Sequence, residues 1–137
     1  YMAVVDAFQH WVYANPTQAS DASACDDCWS SLWDRFMVGV DWSGFDDEKA
    51  TGWHRKLHIY QVPFYYIEYG LAQMGAFQVW RNAQHNQAEA VKQYRSALQK
   101  GGTVSIPEFF RTAGATFALN AETMRTCMGI AQEFLGL

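Results

Sequence analysis

Proline is scarce in this chain, three in 137 residues, so little in it obliges the backbone to leave a helix. Strict apolar/polar alternation, the pattern of a half-buried strand, is missing as well. No apolar run approaches the roughly 18–20 residues a membrane span requires, which argues against a membrane protein. Positive charge is also in short supply. Ten Lys and Arg face fourteen Asp and Glu, for a net charge of -4, so nothing offers a phosphate backbone the basic patch it needs. Neither nucleic acid nor membrane is expected as a partner, and no secretory leader is visible.

Cysteine is rare and odd in number: Cys25, Cys28 and Cys127. The first two have C-x-x-C spacing, which redox and zinc sites use. A metal site needs two further ligands nearby, and no second C-x-x-C or C-x-x-H follows. The intervening Asp26 and Asp27 disfavour a thiolate by like charge. The pair therefore reads as two reduced thiols one turn apart on a helix, in a cytoplasmic protein.

What is present favours a packed helical fold. Half of the residues are hydrophobic and 16% are aromatic, enough for one domain with a sizeable core. The chain opens directly in an apolar helical pattern, with Val4, Val5, Phe8, Trp11 and Val12 on one face up to about Tyr13. That uncapped opening suggests a continuation of something upstream. Asn15-Pro16 ends this helix. Ser20 or Asp21 caps a second one to about Met37, with a stripe of Cys25, Trp29, Leu32, Trp33 and Phe36, and Gly39 stops it. A turn-rich connector and the charged stretch 46–49 follow. A long helix is expected from near Val62, with Pro63 in its first turn, to about Ala83. Being apolar almost all round, it should be central and buried. Asn86 caps a helix from Gln87 to Lys100, closed by Gly101-Gly102. Ser105 opens a short helix ending near Gly114, and Asn120 caps a last one from Ala121 to about Leu135. The expected fold is an all-α, single multi-helix domain of about six helices over residues 1–137, with a long, central, Tyr-rich helix.

The chemistry-bearing residues concentrate in one segment. Tyr65, Tyr66 and Tyr69 fall within five positions, and each buried hydroxyl needs a partner that Phe or Leu would not. They could be satisfied core residues. With His58 and Tyr60 they could instead converge on a cleft, donating hydrogen bonds to a peptide carbonyl and its tetrahedral intermediate. Such groups do not activate water by themselves; that takes a metal or a strong base.

The run His58-Ile59-Tyr60-x-x-Pro63-Phe64-Tyr65-Tyr66-Ile67-Glu68-Tyr69 closely resembles the signature of the oligoendopeptidase F family of zinc peptidases. Upstream, residues 6–13, Asn15-Pro16 and Gly39 through Gly44 are similar to that family. Downstream, so are Tyr94 through Leu98, Gly101-Gly102 and Ala113-Gly114. The resemblance implies a mostly helical, cytoplasmic zinc endopeptidase that cuts short peptides in a deep channel. It also implies that His58 contacts substrate and that Tyr66 and Tyr69 bind substrate or the oxyanion. Tyr60 and Tyr65 are weaker substrate-binding candidates, because neighbours on a helix point in different directions.

One departure limits the expectation. None of His10, His54, His58 and His85 is followed by Glu, so the H-E-x-x-H that holds zinc in that family is absent here. The chain itself is expected to bind no metal; zinc belongs to the parent family. The leading expectation is a C-terminal, substrate-binding fragment, inactive alone, that homo-oligomerises through apolar surface left uncovered by truncation. Two alternatives stand beside it: a stand-alone helical peptide-binding or interaction module, and a bare helical scaffold.

Overall fold

A computed structural model describes residues 1–136. Among them there are helices, single 3₁₀ turns and connectors but no strand, so the all-α expectation holds. Seven α-helices follow in order: α1 Met2–Ala14, α2 Ala22–Phe36, α3 Asp46–Ala50, α4 Leu57–Gln61, α5 Ile67–Lys100, α6 Ile106–Thr112 and α7 Ala121–Leu135. The chain forms two compact units, Tyr1–Gly70 and Leu71–Leu137.

The first unit is built around aromatic rings. Val4, Val5 and Phe8 of α1 and Cys25, Trp29 and Trp33 of α2 are buried together. Phe8 meets Trp29 edge-on at 5.3 Å between centroids, and Trp33 meets Trp42 of the connector edge-on at 5.2 Å. Such geometry adds to what area burial alone contributes. Asp21 caps α2 by accepting from the Ser23 N–H. The charged stretch after Phe45 folds as α3, held to α2 by Lys49 Nζ on Asp34 at 3.0 Å. The Trp53 indole N–H donates to Asp26 Oδ1 at 2.7 Å, tying the next turn to α2 as well. Phe36, placed in the buried stripe by its spacing, is 38% exposed, at the last position of α2.

The tyrosine segment departs from the sequence reading. No helix starts at Val62. Instead α4 ends at Gln61, and Val62 to Tyr65 form a β-turn closed by the Tyr65 N–H on the Val62 carbonyl at 3.2 Å. Pro63 takes the second turn position and Phe64 the third with φ +62°, the arrangement of a type II turn. A non-glycine residue there is strained by about 1–2 kcal/mol. The strain is offset by α1. The buried Gln9 side chain accepts from the Phe64 N–H at 3.2 Å, and the Phe64 ring lies between His10 and Tyr13 at 4.9 and 5.0 Å. The segment is also not the buried centre of the molecule: Tyr65 and Tyr69 are 43% and 45% exposed.

In the second unit, α5 buries Met74, Gly75, Gln78, Ala90 and Ala97. Asn86 leaves helical geometry (φ -152°, ψ 92°), and its side chain accepts from the Glu89 N–H at 3.1 Å. The expected cap at Asn86 is thus present, as a kink within α5. Gln78 grips the extended segment after α6: it accepts from the Thr116 N–H at 2.9 Å and donates to the Thr116 carbonyl at 3.1 Å. Asn82 donates to the Gly114 carbonyl at 2.8 Å. Gly114 has φ +75°, a conformation that strains any residue with a side chain, and a Cβ there would also push aside the Gln93 amide, whose Oε1 would lie 2.3 Å away. Asn120 caps α7 by accepting from the Thr123 N–H at 2.8 Å.

Candidate functional site

The turn at Pro63-Phe64 decides where the phenols go. It reverses the chain between α4, which carries His58, and α5, whose first turn carries Tyr69, leaving Tyr65 and Tyr66 in the short link between them. His58 Nε2 and the Tyr69 hydroxyl are 3.3 Å apart. The His58 ring is edge-on to Tyr66 at 4.9 Å and stacked with Tyr65 at 6.2 Å; Tyr66 and Tyr69 are 5.0 Å apart. His58, Tyr65, Tyr66 and Tyr69 therefore form one cluster. Tyr65 joins it because it lies outside the helix, where the directional argument against it does not apply. Tyr60 does not join: its ring tilts against Trp53 at 6.2 Å. Burial, and then the field of Cys25, push the Tyr60 phenol above its ordinary pKa.

Two contributors escape the sequence reading. Lys56 reaches the Tyr66 hydroxyl at 3.1 Å, with its ammonium 4.5 Å from the Tyr66 ring centroid and 4.9 Å from that of Tyr1. Burial acts against its charge and is the largest single influence. The hydrogen bond to Tyr66 and the fields and hydrogen bonding of Tyr1 and Tyr66 together outweigh it, so Lys56 stands above its ordinary pKa. Gln9, on α1, is the other, since it anchors the turn that delivers Tyr65 and Tyr66. A lysine two positions before His58 was a visible signal. The partnership of Gln9 with Phe64, 55 positions apart, was not.

The cluster suits hydrogen bonding, not metal binding. Among the described residues, no three of His, Cys, Asp and Glu gather into a metal site. The C-x-x-C thiols are poor ligands as they stand. Burial first, then Asp26 and Asp21, push Cys25 up, and burial followed by Cys25 pushes Cys28 up to about 11. Both remain thiols at neutral pH. What the cluster offers a ligand is phenol donors and an imidazole, half exposed, beside aromatic faces.

The second unit holds a different feature, an apolar groove of about 460 Å³. Gly75, Val79, Trp80, Tyr94, Phe110 and Ala113 are among the residues lining it. Gly75 permits close approach there, for a Cβ would stand 2.8 Å from the Phe110 ring.

The profile of peptidase family M3 matches residues 1–129. The chain belongs to peptidase family M3. This M3-family chain is similar in structure to PZ peptidase A, solved with inhibitor 2, with a TM-score of 0.89 and 32% identity. The match covers 99% of this chain and 24% of the other, so the chain spans about a quarter of that peptidase's length. No curated protein matches the M3-family chain significantly. No helix among its described residues is long and apolar enough to cross a membrane.

Proposed function

We propose that this M3-family chain is the substrate-binding part of a zinc-dependent oligopeptide endopeptidase of the oligoendopeptidase F type, and that it is inactive alone. The observation that carries this reading is the cluster itself. An imidazole and a phenol sit 3.3 Å apart, with a second phenol 5.0 Å from the first, ring to ring. Tyr66 and Tyr69 donate to the carbonyl oxygen of a bound short peptide and to the oxyanion it becomes, where charge develops. His58 contacts the substrate and orients the Tyr69 hydroxyl. Tyr65 offers its ring to a neighbouring substrate residue, and Tyr60 has a lesser substrate-binding part.

In the whole enzyme, zinc would supply the polarised water. The residues present here do not fit that ion, because the chain has no H-E-x-x-H and its paired thiols are held protonated. The chain's own contribution is recognition and charge stabilisation. A cytoplasmic location and self-association through uncovered apolar surface accompany this reading. The exposed Leu98, Ile106, Phe134 and Leu135 support the latter. Sedimentation at micromolar concentration should find a dimer or larger species, and a monomer would contradict self-association.

The test is hydrolysis of short peptides by the 137-residue chain, with and without added zinc. No turnover is expected in either case, and robust turnover by the chain alone would overturn the reading. A second reading, a peptide-binding module without catalysis, is favoured by one observation: the hydrogen bonds of Tyr66 to Lys56 and of Tyr69 to His58 both lie within residues 56–69. Peptide affinity in the chain alone, lost in Tyr69→Phe, would favour it.

A further inference from the structure

Two of the three phenols in the cluster, Tyr66 and Tyr69, have unlike partners. Tyr69 faces an imidazole nitrogen, which can either accept or donate. Tyr66 faces Lys56, whose ammonium has three donors and no acceptor. At 3.1 Å the only bond possible between them runs from Lys56 Nζ to the Tyr66 oxygen. An accepting site of that oxygen is thereby filled by a cation, and the Tyr66 proton is left for another partner. Among the described residues the Tyr66 hydroxyl makes no other hydrogen bond.

The cation also changes the strength of that proton as a donor. A positive charge on the oxygen draws electron density from the O–H bond, and linked hydrogen bonds polarise one another. Bonds with a charged member are shorter and stronger than neutral ones. The ammonium is well held for this purpose. It lies near the faces of Tyr1 and Tyr66, at 4.9 and 4.5 Å from their centroids, where ring quadrupoles attract a cation. The Lys56 N–H donates to the Trp53 carbonyl at 3.0 Å, and Trp53 is itself fixed to α2 through Asp26.

We propose that Lys56 is a positioning residue for Tyr66: it holds the phenol by its accepting side and leaves a polarised O–H for a peptide carbonyl or oxyanion. The proposal rests on the reading that Tyr66 meets the substrate. It goes beyond it by dividing the phenols into one backed by a fixed cation and one paired with an imidazole. It makes Lys56 a residue that acts through Tyr66 and not by its own contact with the peptide.

A double-mutant cycle on the 137-residue chain tests it. The probe is a phosphinic tripeptide, whose anionic oxygen stands in for the oxyanion, with binding followed by NMR. Lys56→Met should weaken binding about 5- to 10-fold with little change in Tm, and Lys56→Arg should restore most of the loss. In a Tyr66→Phe background Lys56→Met should change nothing further. The Lys56 Nζ resonance should titrate at lower pH in Tyr66→Phe than in the unmodified chain. Losses that simply add, or an Nζ titration indifferent to Tyr66→Phe, would overturn the positioning role and leave the peptide-site reading standing. An unmodified chain that binds no phosphinic tripeptide would overturn that reading and the positioning role with it.

Discussion

Residues 1–70 fill their interior with indole and phenyl rings from α1, α2 and the connector, and they surround that interior with hydroxyls, carboxylates and an ammonium. Residues 71–137 bury alanines, a methionine, a cysteine and one glutamine, and leave an apolar groove open. The first unit thus has side-chain chemistry to offer a peptide. The groove of the second is apolar, and of the residues lining it only Trp80 and Tyr94 carry a side-chain donor. Large rings can form a core from few residues. Small side chains let helices approach closely and leave function to the backbone and to gaps.

The comparison is broken most forcefully through the ring core. Trp29→Ala should destabilise the chain by about 3–5 kcal/mol, seen as a large fall in Tm, because Trp29 is fully buried and touches three other rings. The corresponding test in the second unit is Gln78→Leu. It strands the Thr116 N–H and carbonyl and should cost about 1–3 kcal/mol by thermal unfolding. Next comes Gln9→Leu, which releases the strained Phe64 turn. About 1–2 kcal/mol should be lost, and the Tyr65, Tyr66 and His58 resonances should shift while those of Gln78 and Thr116 hold still.

A smaller effect is readable in pH. The folded Cys28 stands above the ordinary thiol value of 9.0, at about 11, so folding favours its neutral form. That contribution is complete below pH 9 and is lost as the pH rises through about 11. The Tm difference between the unmodified chain and Cys28→Ala should therefore shift against the unmodified chain over that window. A constant difference would contradict it. The smallest effect on stability belongs to Tyr69→Phe. Nearly half exposed, it should change stability by under about 0.5 kcal/mol, so any loss of peptide binding in that variant reports on the site.

Much of the fold was legible because local signals sufficed. Asp21, Asn86 and Asn120 each cap as their positions suggested, and each does so by accepting from an N–H two or three residues on. The boundary at Val62 was misread because Pro63 suits two places equally, a helix first turn and the second position of a β-turn. What chose the turn was Gln9, a buried amide distant in sequence, and local reasoning has no access to such a partner. The same error made the tyrosine segment a buried helix and set Tyr65 apart from its neighbours. Lys56 was passed over for a related reason. Its value lies in the rings of Tyr1 and Tyr66 on either side of it, and only one of those is near it in sequence.

The central claim is that peptide recognition belongs to the phenol cluster of residues 56–69 and not to the groove of the second unit. The direct measurement is an NMR titration of the 137-residue chain with a short phosphinic peptide. The account predicts saturable shifts at His58, Tyr65, Tyr66 and Tyr69 that disappear in Tyr69→Phe. Shifts confined to Val79, Trp80, Tyr94 and Phe110, unchanged by Tyr69→Phe, would contradict it.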